Sequence, residues 1–141
     1  MQTISTTDLA HRLRPVLTRI ARRMRQAAAG DLSPTQGAAL ATIDCHGPLT
    51  PSELAVREHI QRPTATRVLA RLEEAGLVER TADPTDRRST LVATSAEGRA
   101  LLARIRERKD AYLVTRLDSL SPDELATLER AAGILERVLD E

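Results

Sequence analysis

Arg62-Pro63-Thr64-Ala65-Thr66-Arg67, followed one helical turn later by Arg71, places three guanidinium groups and two hydroxyls within ten residues. Arginine can donate two parallel hydrogen bonds to guanine, and threonine offers a hydroxyl to a base or phosphate and a methyl to thymine. Arg71 lies on the same helical face as Arg67 and is placed to clamp a phosphate. Pro63 suits the first turn of a helix, and the unpaired amides of such a start favour a phosphate. A second charged group, Asp86-Arg87-Arg88, lies between two strand-like runs. A narrow minor groove concentrates negative potential and draws in guanidinium groups. That makes Arg88 the minor-groove candidate and Arg87 a phosphate contact, while Asp86 can pair with a neighbouring arginine and fix the shape of the tip. Taken singly, each of these residues reads as the solvated side of a helix or turn. The group points to duplex recognition because a proline start, a capped helix before it and a charged hairpin after it coincide.

Those side chains need elements to hold them. Thr50-Pro51-Ser52-Glu53 has the form of a capping box and opens a short helix carrying Leu54 and Ala55. The segment His59-Ile60-Gln61 is the link, with Ile60 pinning it to the core. Pro63 then begins a helix through Val68, Leu69 and Leu72 that stops at Gly76. Two short helices joined tightly form a helix-turn-helix. Leu77 to Thr81 and Ser89 to Ala93 are strand-like, and Asp83-Pro84-Thr85-Asp86 is turn chemistry.

The flanks are helical. From Asp8 to Met24 the apolar residues Leu9, Leu13, Val16, Leu17, Ile20 and Met24 recur at helical spacing, and six arginines between Arg12 and Arg25 occupy the rest. Pro15 should bend that helix or shift its start. Ala29-Gly30-Asp31 interrupts the pattern, and Ser33-Pro34-Thr35-Gln36 caps a second helix that runs to about Asp44, before Gly47-Pro48. Thr94-Ser95-Ala96-Glu97 opens a long helix through Leu117. Ser121-Pro122-Asp123-Glu124 opens the last, whose stripe is Leu125, Leu128, Ala131, Ala132, Leu135, Val138 and Leu139. Three striped helices around so small a reader carry more apolar face than one copy covers, which favours a homodimer.

Composition narrows the classes further. At 141 residues the chain is expected to form a single domain, 1–141. No apolar run is long enough to span a bilayer and the N-terminus lacks the apolar centre of a signal peptide, so a cytoplasmic protein with no membrane partner is expected. Net charge is only +1, but it is unevenly spread: Arg12 to Arg25 contains no acid and Asp118 to Glu141 is strongly acidic. Tyr112 is the one aromatic residue, which argues against readers that stack single-stranded bases on exposed rings. Cys45, the one cysteine, excludes an internal disulfide. His11, His46 and His59 lack metal-ligand spacing, so neither a metal nor a cofactor is expected. Without a nucleophile-base-acid arrangement or a glycine-rich phosphate loop, no catalytic residue is assigned and an enzyme is not expected.

The run LTPSELAVREHIQRPTATRVLARLEEAGLVERTADPTDRRSTLVATSAEG resembles the winged helix-turn-helix of MarR-family transcriptional regulators. LEEAGLVER, DPTDRRS and TSAEG carry the resemblance most specifically. It implies a mainly α fold with a small β-hairpin wing, in the order helix, helix, strand, helix, helix, strand, wing, strand, helix, helix. Residues 32–94 would form the DNA-binding region, with residues 1–31 and 95–141 as dimerisation helices. It also implies an obligate homodimer, triangular in outline, whose first, fifth and sixth helices interlock while two readers face one duplex. Such proteins bind a pseudo-palindromic operator, usually repress, and often release DNA when a small molecule binds. By position, the implied contacts to double-stranded DNA fall on Arg62, Thr64, Thr66, Arg67 and Arg71, on the wing arginine Arg88, and on Thr50 and Ser52 for phosphate.

The chain departs from the family pattern at Glu58, where an apolar residue is common, and at His59, where glycine is common; a differently shaped link is expected there. Ala93 replaces a usual leucine. The family's peroxide sensors carry their thiol in the first helix, so Cys45 does not inherit that role. Two other functions fit the same residues: a thiol-based redox sensor acting through Cys45, and a dimeric interaction module that has lost DNA binding. The identity of any effector ligand, and the residues that would bind it, are not legible.

Overall fold

The structure, a computed structural model, describes residues 2–28, 30 and 32–141. Helices α1 (Thr6–Ala27), α2 (Pro34–His46), α3 (Pro51–Arg57) and α4 (Arg62–Glu74) precede strands β1 (Val78–Ala82) and β2 (Thr90–Thr94). Helices α5 (Ala96–Leu117) and α6 (Pro122–Leu139) close the chain. The interruption expected at Ala29-Gly30-Asp31 falls partly outside the described residues, since Ala29 and Asp31 are not among them.

Side-chain caps set most of the helix starts. The Ser33 hydroxyl accepts from the Gln36 N–H while the Gln36 side chain accepts from the Ser33 N–H, and Ser121 and Glu124 repeat the exchange. Thr50 and Ser95 cap α3 and α5 by accepting from Glu53 and Gly98 N–H. Each such cap stabilises its helix by about 1 kcal/mol. Helix α1 begins at Thr6, capped by Ser5, and passes through Pro15 rather than starting there. The proline removes one rung of the hydrogen-bond ladder but leaves the helix continuous.

The core lies where α2, α3, α4 and the hairpin meet. Leu40, Ile43, Leu54, Leu69, Leu72 and Val92 are fully buried in it, and Leu102 reaches it from α5. Truncating any of the large ones to alanine should cost about 2–5 kcal/mol. Strands β1 and β2 pair antiparallel from Val78↔Thr94 to Ala82↔Thr90. The extra strand expected before α3 is reduced to one bridge, in which Leu49 and Val92 exchange both backbone hydrogen bonds. Its neighbours explain the reduction. Pro48 and Pro51 lack an N–H, and Thr50 already belongs to the cap of α3.

Helix α5 packs along α1, and Arg106 of α5 reaches Asp44 of α2 at 3.6 Å. Helices α1 and α6 bury no residue against their own chain. Leu9, Val16, Leu17 and Ile20 on α1, with Leu125, Leu128, Ile134, Val138 and Leu139 on α6, stand exposed. Among the described residues, no helix is long and apolar enough to cross a membrane.

Candidate nucleic-acid interface

Helix α3 ends in a reversal that sets where α4 can begin. The Ile60 N–H donates to Ala55 carbonyl and the His59 N–H to Val56 carbonyl, the double bond pattern of a left-handed helix stop. His59 takes φ +53 to make it. The sequence departure at His59 therefore does not change the link, which keeps the conformation that glycine adopts most cheaply. Ile60 packs against the core as expected. Glu58, the other departure, accepts a hydrogen bond from the Thr42 hydroxyl and ties the link to α2.

Helix α4 turns Ala65, Val68, Leu69 and Leu72 inward. That periodicity sends Arg62, Pro63, Thr66, Arg67 and Arg71 outward, all exposed, with Thr64 half-buried. Gln61 occupies the N-cap position without a side-chain hydrogen bond to the helix, so the first amides of α4 are not satisfied by a cap. The Thr66 hydroxyl donates to Arg62 carbonyl at 3.0 Å, and the residue stays exposed. Thr64 Oγ1 accepts from Arg67 Nη2 at 3.4 Å, a long contact that leaves the guanidinium free to turn elsewhere. Thr50 spends its acceptor on the α3 cap but keeps its hydroxyl proton, and Ser52 is exposed.

The wing projects from the far end of α4. Gly76, at φ +73, stops the helix, with Leu77 N–H bonded to Leu72 carbonyl and Gly76 N–H to Glu73 carbonyl. At the loop, Asp83 Oδ1 accepts from both the N–H and the hydroxyl of Thr85. The Thr85 hydroxyl and then its N–H hold the Asp83 carboxyl below the ordinary carboxylate range. Asp86 Oδ1 accepts from the backbone N–H of Arg88 at 3.0 Å. Among the described residues it makes no ion pair, so it shapes the tip through the backbone and not through an arginine side chain as the sequence suggested. Arg87 and Arg88 are both exposed.

Two features of this region are absent from the sequence candidates. Glu73 on the last turn of α4 meets Arg80 of β1, with Oε2 2.6 Å from Nε. Ser95 N–H donates to Leu77 carbonyl and its hydroxyl to Gly76 carbonyl at 2.6 Å, locking the start of α5 onto the α4–β1 turn. A Cβ on Gly98 would come within 2.2 Å of Leu77 carbonyl oxygen, which is the physical content of the glycine in TSAEG. The signals for both lay in LEEAGLVER and TSAEG, but only the reversal at Gly76 brings their ends together. Among the described residues, no group of three or more His, Cys, Asp or Glu side chains is placed to hold a metal ion.

A model of the MarR family matches residues 32–90. An uncharacterised HTH-type transcriptional regulator of Mycobacterium leprae is 36% identical over 138 residues, 97% of this chain and 96% of that protein. The multiple antibiotic resistance protein MarR of Salmonella typhimurium is 36% identical over 100 residues, 70% of this chain and 69% of its own. The crystal structure of a Pseudomonas aeruginosa protein described as a transcriptional regulator superposes with a TM-score of 0.87 at 34% identity, covering 99% of both chains.

Proposed function

The chain belongs to the MarR family of transcriptional regulators, and from that premise we propose that it is a homodimer that binds double-stranded DNA at a pseudo-palindromic operator. It represses from that site and is released by a small-molecule ligand. Residues 32–94 form the reader, and residues 1–31 and 95–141 hold two readers at a fixed spacing. One observation carries the reading. Arg62, Arg67, Arg71, Arg87 and Arg88 are all exposed on α4 and the wing tip, and among the described residues none is paired with a carboxylate.

In this reading α4 enters the major groove, with Arg62, Pro63, Thr64, Thr66 and Arg67 at the base edges and Arg71 on phosphate. Arg88 enters the adjacent minor groove, with Arg87 on its phosphates and Asp86 holding the tip. Thr50 and Ser52 at the start of α3 donate their hydroxyls to the backbone. The uncapped start of α4 adds amides to the same surface.

Footprinting on the DNA that flanks the coding region tests the proposal. A protected pseudo-palindrome with half-sites about one helical turn apart supports it. Loss of that footprint in Arg67→Ala assigns the reading to α4, and an unchanged footprint overturns it. A Cys45→Ser variant is expected to keep both its DNA affinity and its response to oxidants and inducers. A variant insensitive to them would favour the thiol sensor instead.

A further inference from the structure

We propose that Glu73 and Arg80 act as a strut between the recognition helix and the wing, and so decide how sharply the protein prefers one duplex sequence over another. The inference rests on the DNA-reading function proposed above and names two positioning residues for it.

Apolar packing holds the wing as far as the rung of Arg80 and Val92. Of β1, Val78 is buried and Glu79 to Ala82 are exposed; of β2, Val92 and Thr94 are buried. Beyond that level the hairpin is a lever. Arg80 to Ala82 spans about 7 Å at ~3.3 Å per residue, and the loop with Arg88 lies farther out. A tilt of about ten degrees at that rung would move Ala82 by roughly 1 Å and the tip by more, while hydrogen bonds to DNA tolerate only about half an ångström. The angle between α4 and the wing therefore needs a tie outside the core if the helix and the tip are to engage their two grooves together.

Glu73–Arg80 is that tie. It is the one ion pair among the described residues that joins α4 to the hairpin. Glu73 is fixed by the helix stop at Gly76. Arg80 sits opposite Val92, which bonds in turn to Leu49, so the strut lands on a rung tied on both sides. With side chains 30% and 46% exposed, the pair adds little to stability. Its effect lies in orientation. Arg80 also differs from the five arginines assigned to DNA in having a carboxylate partner, so it acts through geometry and not through phosphate.

The test uses the full chain and two duplexes: one enriched by the parent protein from a random pool, and a scrambled duplex of equal length and composition. Affinities are measured across a salt series for the parent, Glu73→Gln, Arg80→Gln and the exchanged pair Glu73→Arg/Arg80→Glu. Each single variant is expected to lose about five-fold of the preference for the enriched duplex, the scale of one exposed ion pair. Arg80→Gln should bind the scrambled duplex as the parent does, with the same salt slope, and the exchanged pair should recover the preference. If Arg80→Gln weakens both duplexes alike with a slope shallower by about one, Arg80 is a phosphate contact and the strut is overturned. Unchanged preference in both single variants also overturns it. A parent that enriches no sequence overturns the DNA-reading function itself, and this inference with it.

Discussion

Arg67 and Arg88 should fail in different ways, because in the proposed docking one faces base edges and the other a groove of concentrated charge. Arg67→Ala is expected to cost about 1–3 kcal/mol on the preferred duplex and to relax discrimination at one position. Arg88→Ala should weaken binding and reduce the salt slope by about one phosphate-equivalent; parent-like affinity across a salt titration would refute the minor-groove role. The wing loop adds a pH dependence. Asp83 has a carboxyl held below its ordinary 3.8, so its contribution to loop order is complete above that value and is lost as pH falls through the lower folded-state pKa. Protection of the Thr85 amide, its exchange measured against an unstructured amide at the same pH, should hold from neutral pH to about 4 and fall below it. Residue types and spacing in the sequence were enough to mark Arg62, Arg67, Arg71, Arg87 and Arg88, all five exposed, as candidates. They did not reveal how the short polar side chains are spent. Thr66 bonds back to its own helix and Asp86 to the amide two residues on, since local backbone partners are already within reach and an exposed ion pair offers little more.

At the level of elements, the joints are more telling than the helices. Gly98→Ala would drive a methyl group into Leu77 carbonyl and Thr94 Cγ2, and a destabilisation of about 3 kcal/mol is expected in urea unfolding. His59→Gly should work the other way and stabilise by about 0.5–1 kcal/mol, because the left-handed φ of +53 no longer opposes a Cβ. An unchanged or lower unfolding midpoint would contradict that. Helix starts were readable to within a residue or two, since Ser33, Thr50, Ser95 and Ser121 each carry a side chain that can answer the first free amides. The Glu73–Arg80 contact was not readable. It depends on a chain reversal, and two charges seven residues apart say nothing until Gly76 folds one back on the other.

For the whole molecule, the question is what covers the terminal helices. Their apolar stripes were plain in the sequence, but what each stripe meets is a matter of three-dimensional fit that spacing alone cannot supply. Ile134 is 51% exposed and Leu128 47% exposed on α6. Sedimentation of the free protein should give a dimer at micromolar concentration, and Leu128→Glu should shift it toward monomer and abolish the paired footprint while leaving the reader folded. A parent that sediments as a monomer would contradict the dimer. No residue of α6 is fully buried against its own chain, and most helical stability in proteins comes from packing of an apolar face. If the proposed dimer covers that face, the melting temperature should rise with protein concentration. In the proposed dimer dilution would act as a denaturant, and the amount of regulator present would help decide whether each regulator molecule is fully folded.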